Sequence, residues 1–125
     1  MTSPLFRFQA RVISGSGRGK TLRVPTLNLD LQDVPKDLQD GVFVCRAIID
    51  GTSYPATAHH GPRPTFNDSP SFEVHLIDAS LPSPPKRVEV EIVEFLRGIS
   101  KFPSAEALTT QMLEDIQKAR DILSA

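Results

Sequence analysis

Hydrophobic and polar residues alternate along much of the chain, and the alternation predicts strands. In FRFQARVIS, Phe6, Phe8, Ala10 and Val12 fall on one face and Arg7, Gln9 and Arg11 on the other, the period of two expected of a half-buried strand. GVFVCRAIID and TSYPATA meet at Asp50-Gly51, a dipeptide suited to the positive φ angles of a tight hairpin turn. TLNLDL alternates, and so does SFEVHLID, with Phe72, Val74 and Leu76 opposite Glu73 and His75. RVEVEIVEFL changes phase part-way. Val88, Val90 and Ile92 share a face, then Val93 and Phe95 take the other phase, as at a bulge where a sheet curls. After SKFP the period becomes helical: Leu108, Met112, Ile116, Ala119 and Leu123 recur along one stripe, with Ser104 as N-cap and Glu106 in the first turn.

Prolines punctuate the spaces between these segments. Pro62 and Pro64, Pro70, and Pro82, Pro84 and Pro85 are among eleven in the chain, and they are read as stiffening the long connections of a small barrel. The elements predict a mainly β fold, a six-stranded antiparallel closed barrel with a C-terminal α-helix, forming one domain over residues 1–125. A chain of 125 residues is long enough for one hydrophobic core.

Charge narrows the partners. A formal net charge of −1 supplies no global field for nucleic acid or an acidic membrane, so any basic site is local. Arg18, Lys20 and Arg23 are the densest candidate. The single cysteine, Cys45, excludes an internal disulfide and a multi-cysteine zinc site, and its apolar setting predicts a buried core residue. MTSPLFRFQA lacks the charged-then-apolar order of a secretion signal, and no apolar run approaches the ~20 residues that span a bilayer. The expected compartment is the cytoplasm, and the expected state a monomer.

The chemistry concentrates in SGSGRGKTLRVPTLNLD, residues 14–30. A Walker A loop ends in Gly-Lys-Thr as here, but opens on glycine where this chain has Ser14. A dinucleotide-binding G-x-G-x-x-G would need a third glycine at Lys20. Both templates open a helix onto the phosphates, whereas Pro25 and the alternating TLNLDL point to a strand. Three glycines, Gly15, Gly17 and Gly19, still let backbone N–H groups approach an anion closely. Thr26 and Asn28, two apart in an extended segment, project their oxygens to one side, a pair suited to Mg²⁺ that shares its remaining shell with water and phosphate. On composition alone the loop equally suits a turn with solvated cations, and Thr26 and Asn28 a turn-stabilising pair.

Taken together, GSGRGKTLRVPTLNLDL, DGVFVCRAIIDGTSYPATAHHGPRPTF, FEVHLID and VEVEIVEFLRGISKFPSAEALTTQMLEDIQKAR resemble riboflavin kinase over residues 6–123. That family includes the C-terminal flavokinase half of bacterial bifunctional FAD synthetases. The resemblance implies the same barrel and helix, ATP and Mg²⁺, and transfer of the γ-phosphate to the 5′-hydroxyl of riboflavin, giving FMN. With no adenylyltransferase domain ahead of it, the chain is expected to stop at FMN. By position in the family's motifs, Thr26 and Asn28 hold the metal and the nucleotide phosphates. Gly15, Gly17, Arg18, Gly19 and Lys20 form the phosphate loop, and Glu73 is the general base. Phe95, Leu96, Arg97, Phe102 and the start of the last helix lie where the family binds the flavin, with Arg97 and Phe102 as the candidate substrate contacts; Arg97 equally suits a cation capping the strand end.

The chain departs from the family near these positions. Arg23, Val24 and Leu27 replace a glycine, a phenylalanine and an alanine; His59 and His60 replace an asparagine and an apolar residue; and LPSPPKR stands in place of a Tyr-Gly turn. The two histidines are read as polar loop residues rather than metal ligands. The alternative function is a catalytically impaired flavin- or nucleotide-binding barrel of the same family. A barrel binding single-stranded nucleic acid is disfavoured by one tyrosine, no tryptophan and the negative charge. The kinase reading requires a cation beside Thr26 and Asn28, facing the Glu73 carboxylate across a cleft.

Overall fold

The computed structural model describes residues 4–13, 26–63 and 67–124. Its elements are β1 (Phe6–Ile13), β2 (Thr26–Leu29), β3 (Gly41–Ile49), β4 (Thr52–Arg63), β5 (Asn67–Leu76), β6 (Arg87–Arg97) and α1 (Ala105–Ser124), with one 3₁₀ turn at Leu31–Asp33. The strands close a barrel in the order β1-β2-β5-β4-β3-β6, every pair antiparallel. Six strands and a C-terminal helix are the architecture expected from the alternation.

The alternation sorts side chains into the barrel interior as predicted. Ala10, Leu27, Leu29, Phe43, Cys45, Ala47, Ala56, Ala58, Phe72, Val74, Val88, Val90 and Ile92 form one buried cluster, with Phe6, Phe8 and Val12 packed against it. Small residues on β3 and β4 leave room for the large rings, the alternation by which narrow barrels fill their lumen. Phe8 meets Phe72 edge-on at 5.7 Å. Cys45 is fully buried, and loss of hydration pushes its thiol up to about 12, so it is inert packing.

Asp50 and Gly51 adopt φ of 50° and 81°, the left-handed pair of a type I′ turn, and they join β3 to β4 in register, Ile49 opposite Thr52. The phase change in β6 is structural too. Val44 opposes Glu94 and Cys45 opposes Ile92, so Val93 is an extra residue in β6; a second shift between Val42 and Phe43 passes over Leu96. These bulges turn Val93 and Leu96 outward, where they join Val44, Ile77, Met112, Ile116 and Ala119 in a second apolar layer under α1. The helix starts at its predicted cap, with the Ala107 amide donating to Ser104 Oγ at 3.1 Å.

Two expectations are corrected. Pro62 and Pro70 are not loop residues: they oppose one another at the outer end of the β4–β5 hairpin. Among the described residues, β4 has no β3 partner beyond His60, and β5 has no β2 partner beyond Phe72. Each proline therefore sits on a free strand edge, where its missing N–H breaks no ladder bond. His59 and His60 likewise belong to β4 rather than to a loop. His60 lies against the Phe72 ring, 5.5 Å between centroids, and its Nδ1 is 3.1 Å from the Gln39 carbonyl.

At the exit of β2, Asp30 accepts from the Gln32 amide at 2.9 Å and caps the 3₁₀ turn. Arg11 of β1 reaches across to Asp33, Nε to Oδ2 at 2.9 Å, and its backbone amide donates to the same oxygen at 2.8 Å. A four-residue strand, too short to hold its place by ladder bonds alone, is thereby anchored at its end.

Candidate functional site

Outward-facing positions of the barrel line up strand by strand. One row runs Ile13, Asn28, Glu73, His59, Val42 and Arg97 through β1, β2, β5, β4, β3 and β6. The row beside it runs Thr26, His75, Thr57, Val44 and Glu94. Because side chains alternate faces along a strand, all of these leave the barrel on its outer side. The four polar members contributed by β2 and β5 are consecutive: Thr26 opposite His75, and Asn28 opposite Glu73. Directly opposed residues hold their Cβ atoms about 5 Å apart. Glu73 thus stands beside the Thr26–Asn28 pair on the adjoining strand, not across a cleft from it. A three-residue alternation on each of two hydrogen-bonded strands fixes that spacing more rigidly than two facing walls could.

The environment is enclosed yet polar. The Glu73 side chain is 13% exposed and that of His75 10%. Ser71 Oγ donates to Glu73 Oε2 at 3.2 Å, and His75 Nε2 lies 3.9 Å from Glu73 Oε1. On its other side the His75 ring places Nδ1 3.0 Å from Thr26 Oγ1. Burial holds the imidazole below its ordinary range, against smaller opposing pulls from Glu73 and Asp115, so the ring is neutral at neutral pH.

Arg97 and Phe102 lie together. The Arg97 guanidinium is 5.6 Å from the centre of the Phe102 ring, within cation–π range. It does cap the strand end, with Nη1 donating to the Gly98 carbonyl at 3.2 Å, and it is also tied to the helix. Nε and Nη2 hold the Asp115 carboxylate of α1 at 3.1 and 2.8 Å, and Gln111 Nε2 donates to the same carboxylate at 3.0 Å. Asp115 is nearly fully buried, so the fork geometry both neutralises the carboxylate and fixes the plane of the arginine.

Thr26, Asn28 and Glu73 therefore stand together on the outer face of β2 and β5, and Arg97 with Phe102 lies at the end of β6, while Gly15, Gly17, Arg18, Gly19 and Lys20 lie outside the described residues, as does Arg23. Leu27, the larger residue between Thr26 and Asn28, points into the barrel core and is accommodated there. Sequence reasoning missed His75, Asp115 and Gln111 as partners. His75 was visible on the Glu73 face but had no assigned contact. The signal for Asp115 was a carboxylate set into the Met112–Ile116–Ala119 stripe of the helix, where an acid needs a cation. The oxygen donors fit a hard cation that keeps part of its water shell. Among the described residues no group of three His, Cys, Asp or Glu side chains could hold a metal.

Comparison with known proteins gives the class and then the family. The fold is shared with the solved riboflavin kinase of Trypanosoma brucei, with a TM-score of 0.61 at 21% identity, over 98% of this chain and 82% of that one. The family model Flavokinase, riboflavin kinase, matches residues 3–123. The chain belongs to the riboflavin kinase family.

Among curated relatives, it is 35% identical over 117 residues to the bifunctional riboflavin kinase/FMN adenylyltransferase of Pseudomonas fluorescens, covering 92% of this chain and 37% of that protein. The enzyme of the same name from Haemophilus influenzae is 33% identical over 92% of this chain and 38% of its own length. A solved Streptococcus pneumoniae structure named as a macrolide-efflux protein aligns with a TM-score of 0.80 at 32% identity, over 94% of this chain and 38% of that one. The chain thus spans little more than a third of the length of these bacterial relatives. No helix among the described residues is long and apolar enough to cross a membrane.

Proposed function

We propose that the chain catalyses Mg²⁺-dependent transfer of the ATP γ-phosphate to the 5′-hydroxyl of riboflavin, with Thr26 and Asn28 holding the cation and nucleotide phosphates and Glu73 acting as general base. One observation carries the reading: Asn28 and Glu73 are directly opposed on hydrogen-bonded strands, with Thr26 two residues away on the same face. Phosphoryl transfer asks mainly for alignment and charge neutralisation, and this arrangement brings oxygen donors and a carboxylate within one substrate's reach.

Glu73 accepts the proton of the 5′-hydroxyl as that oxygen attacks the γ-phosphorus; the bond to the β,γ-bridging oxygen breaks and ADP leaves. Mg²⁺ bound through Thr26 and Asn28 would neutralise charge on the transferring phosphoryl group. By the family resemblance, Gly15, Gly17, Arg18, Gly19 and Lys20 would contribute backbone amides and positive charge to the phosphates. Ser71 donates to the carboxylate oxygen that His75 does not face, fixing its plane. Arg97, locked to Asp115, and Phe102 present a flat cationic and aromatic surface for the isoalloxazine. The protein is proposed to work as a monomer in the cytoplasm.

Incubation with ATP, Mg²⁺ and riboflavin, followed by chromatography, is expected to yield FMN and ADP in equal amounts. Glu73→Gln, near-isosteric but unable to take a proton, lowers kcat about 10²- to 10⁴-fold with nucleotide affinity retained. Flavin binding without FMN formation would instead identify the impaired barrel, and full turnover by Glu73→Gln would remove the carboxylate from the mechanism.

A further inference from the structure

We propose that His75 is a positioning residue that couples the two halves of this site, accepting the Thr26 hydroxyl proton at Nδ1 while directing its Nε2–H at the Glu73 carboxylate. The inference rests on the reading above that Thr26 serves the cation and Glu73 the hydroxyl. Two distances support it: 3.0 Å from Thr26 Oγ1 to Nδ1, and 3.9 Å from Nε2 to Glu73 Oε1.

The two contacts select the same tautomer independently. A hydroxyl that offers its lone pair to a cation must send its proton elsewhere, and Nδ1 lies within hydrogen-bond distance to receive it. A neutral imidazole with a bare Nδ1 carries its hydrogen on Nε2, the nitrogen nearer the carboxylate. The opposite tautomer would press an Nε2 lone pair toward a carboxylate oxygen and turn Nδ1–H against the threonine, aiming the hydroxyl proton at the cation. The ring itself has little freedom. It is set in register between Thr26 and Thr57, 10% exposed, with the Asp115 charge of α1 acting on it from beyond the sheet. One side chain therefore sets the direction of a metal-binding lone pair and turns an N–H toward the carboxylate that Ser71 holds.

Substitutions can separate the two contacts, because an asparagine amide falls near Nδ1 of histidine and a glutamine amide near Nε2. The first measurement is the ¹⁵N shift of the His75 ring in the wild-type chain without nucleotide or metal. The expected result is the Nε2–H tautomer; the Nδ1–H tautomer overturns the proposal. The second is ADP affinity by calorimetry with and without Mg²⁺. His75→Leu and His75→Gln are expected to lose tenfold or more of the tightening that Mg²⁺ confers, with affinity for ADP alone unchanged, while His75→Asn keeps it. His75→Asn is expected to lose kcat without that loss of Mg²⁺ dependence.

Equal weakening with and without Mg²⁺, in all three variants, would make His75 structural only and overturn the coupling. Thr26→Ala separates this failure from that of the parent reading. If Thr26→Ala leaves the Mg²⁺ tightening intact, the cation assignment fails. If Thr26→Ala abolishes it and the His75 variants do not, the role of His75 alone is rejected.

Discussion

The Asp115 carboxylate is 4% exposed and the Arg97 side chain that holds it is 23% exposed, and that inequality predicts an asymmetric response to mutation. Removing the arginine leaves a buried carboxylate with only Gln111 among its described hydrogen-bond donors. Removing the carboxylate leaves a guanidinium that can turn into water. Arg97→Leu is therefore expected to cost about 3–5 kcal/mol of stability and Asp115→Ala about 1–2 kcal/mol, read from urea unfolding at neutral pH. Equal costs would mean that the carboxylate is better hydrated than its burial indicates. At this scale the sequence disclosed which residues carry oxygen and charge. It did not disclose their pairings: Arg97 with Asp115 and Thr26 with His75 are 18 and 49 residues apart along the chain, and no local rule joins them.

Strand patterning does more for the elements than for the contacts between them. Alternation located β1, β2, β5 and β6 because one face of each had to be apolar to fill a barrel lumen, and the Asp50-Gly51 turn signal located β3 and β4. The phase break in β6 located its bulges for the same reason. The prolines of the β4–β5 hairpin were misassigned to loops because a strand with a free edge breaks the usual prohibition on proline, and a free edge is a property of neighbours.

Gly41 shows how tightly the β3–β6 seam is built. At φ of 153°, a Cβ there would lie 2.5 Å from Cε1 of Phe95 and 3.0 Å from the Arg97 carbonyl oxygen. Gly41→Ala is expected to destabilise by about 1–3 kcal/mol. The cost should shrink, without vanishing, in a Phe95→Ala background, since the carbonyl contact and the backbone conformation persist. An undiminished cost in the double mutant would place the whole effect in the backbone.

For the whole molecule, the barrel acts as a ruler. Closing six strands with two bulges in β6 puts the Arg97 end of one strand and the Asn28–Glu73 pair of two others into a single outer row that runs round the barrel, and α1 covers part of the outer surface through its second apolar layer. Ligands bound across so many elements should stabilise the fold as a unit. ADP with Mg²⁺ at a hundred times its dissociation constant is expected to add about 2.7 kcal/mol, a rise of roughly 10 °C in Tm for a chain of this size. Chelation of the metal should remove most of the shift, and Asn28→Ala should flatten its dependence on Mg²⁺. A shift indifferent to both would move the nucleotide away from β2.

The order of apolar and polar residues was sufficient for the strands, the hairpin at Asp50-Gly51, the helix with its cap, and the family to which the motifs belong, because each depends on neighbours within a few residues or on the spelling of a motif. Tertiary structure alone decided that Glu73 adjoins Asn28 rather than facing it, that His75 stands between Thr26 and Glu73, and that Arg97 is spent on a buried acid. Those are matters of register between strands brought together by closure of the barrel, and register is set by the summed packing of the core, to which no single stretch of sequence has access.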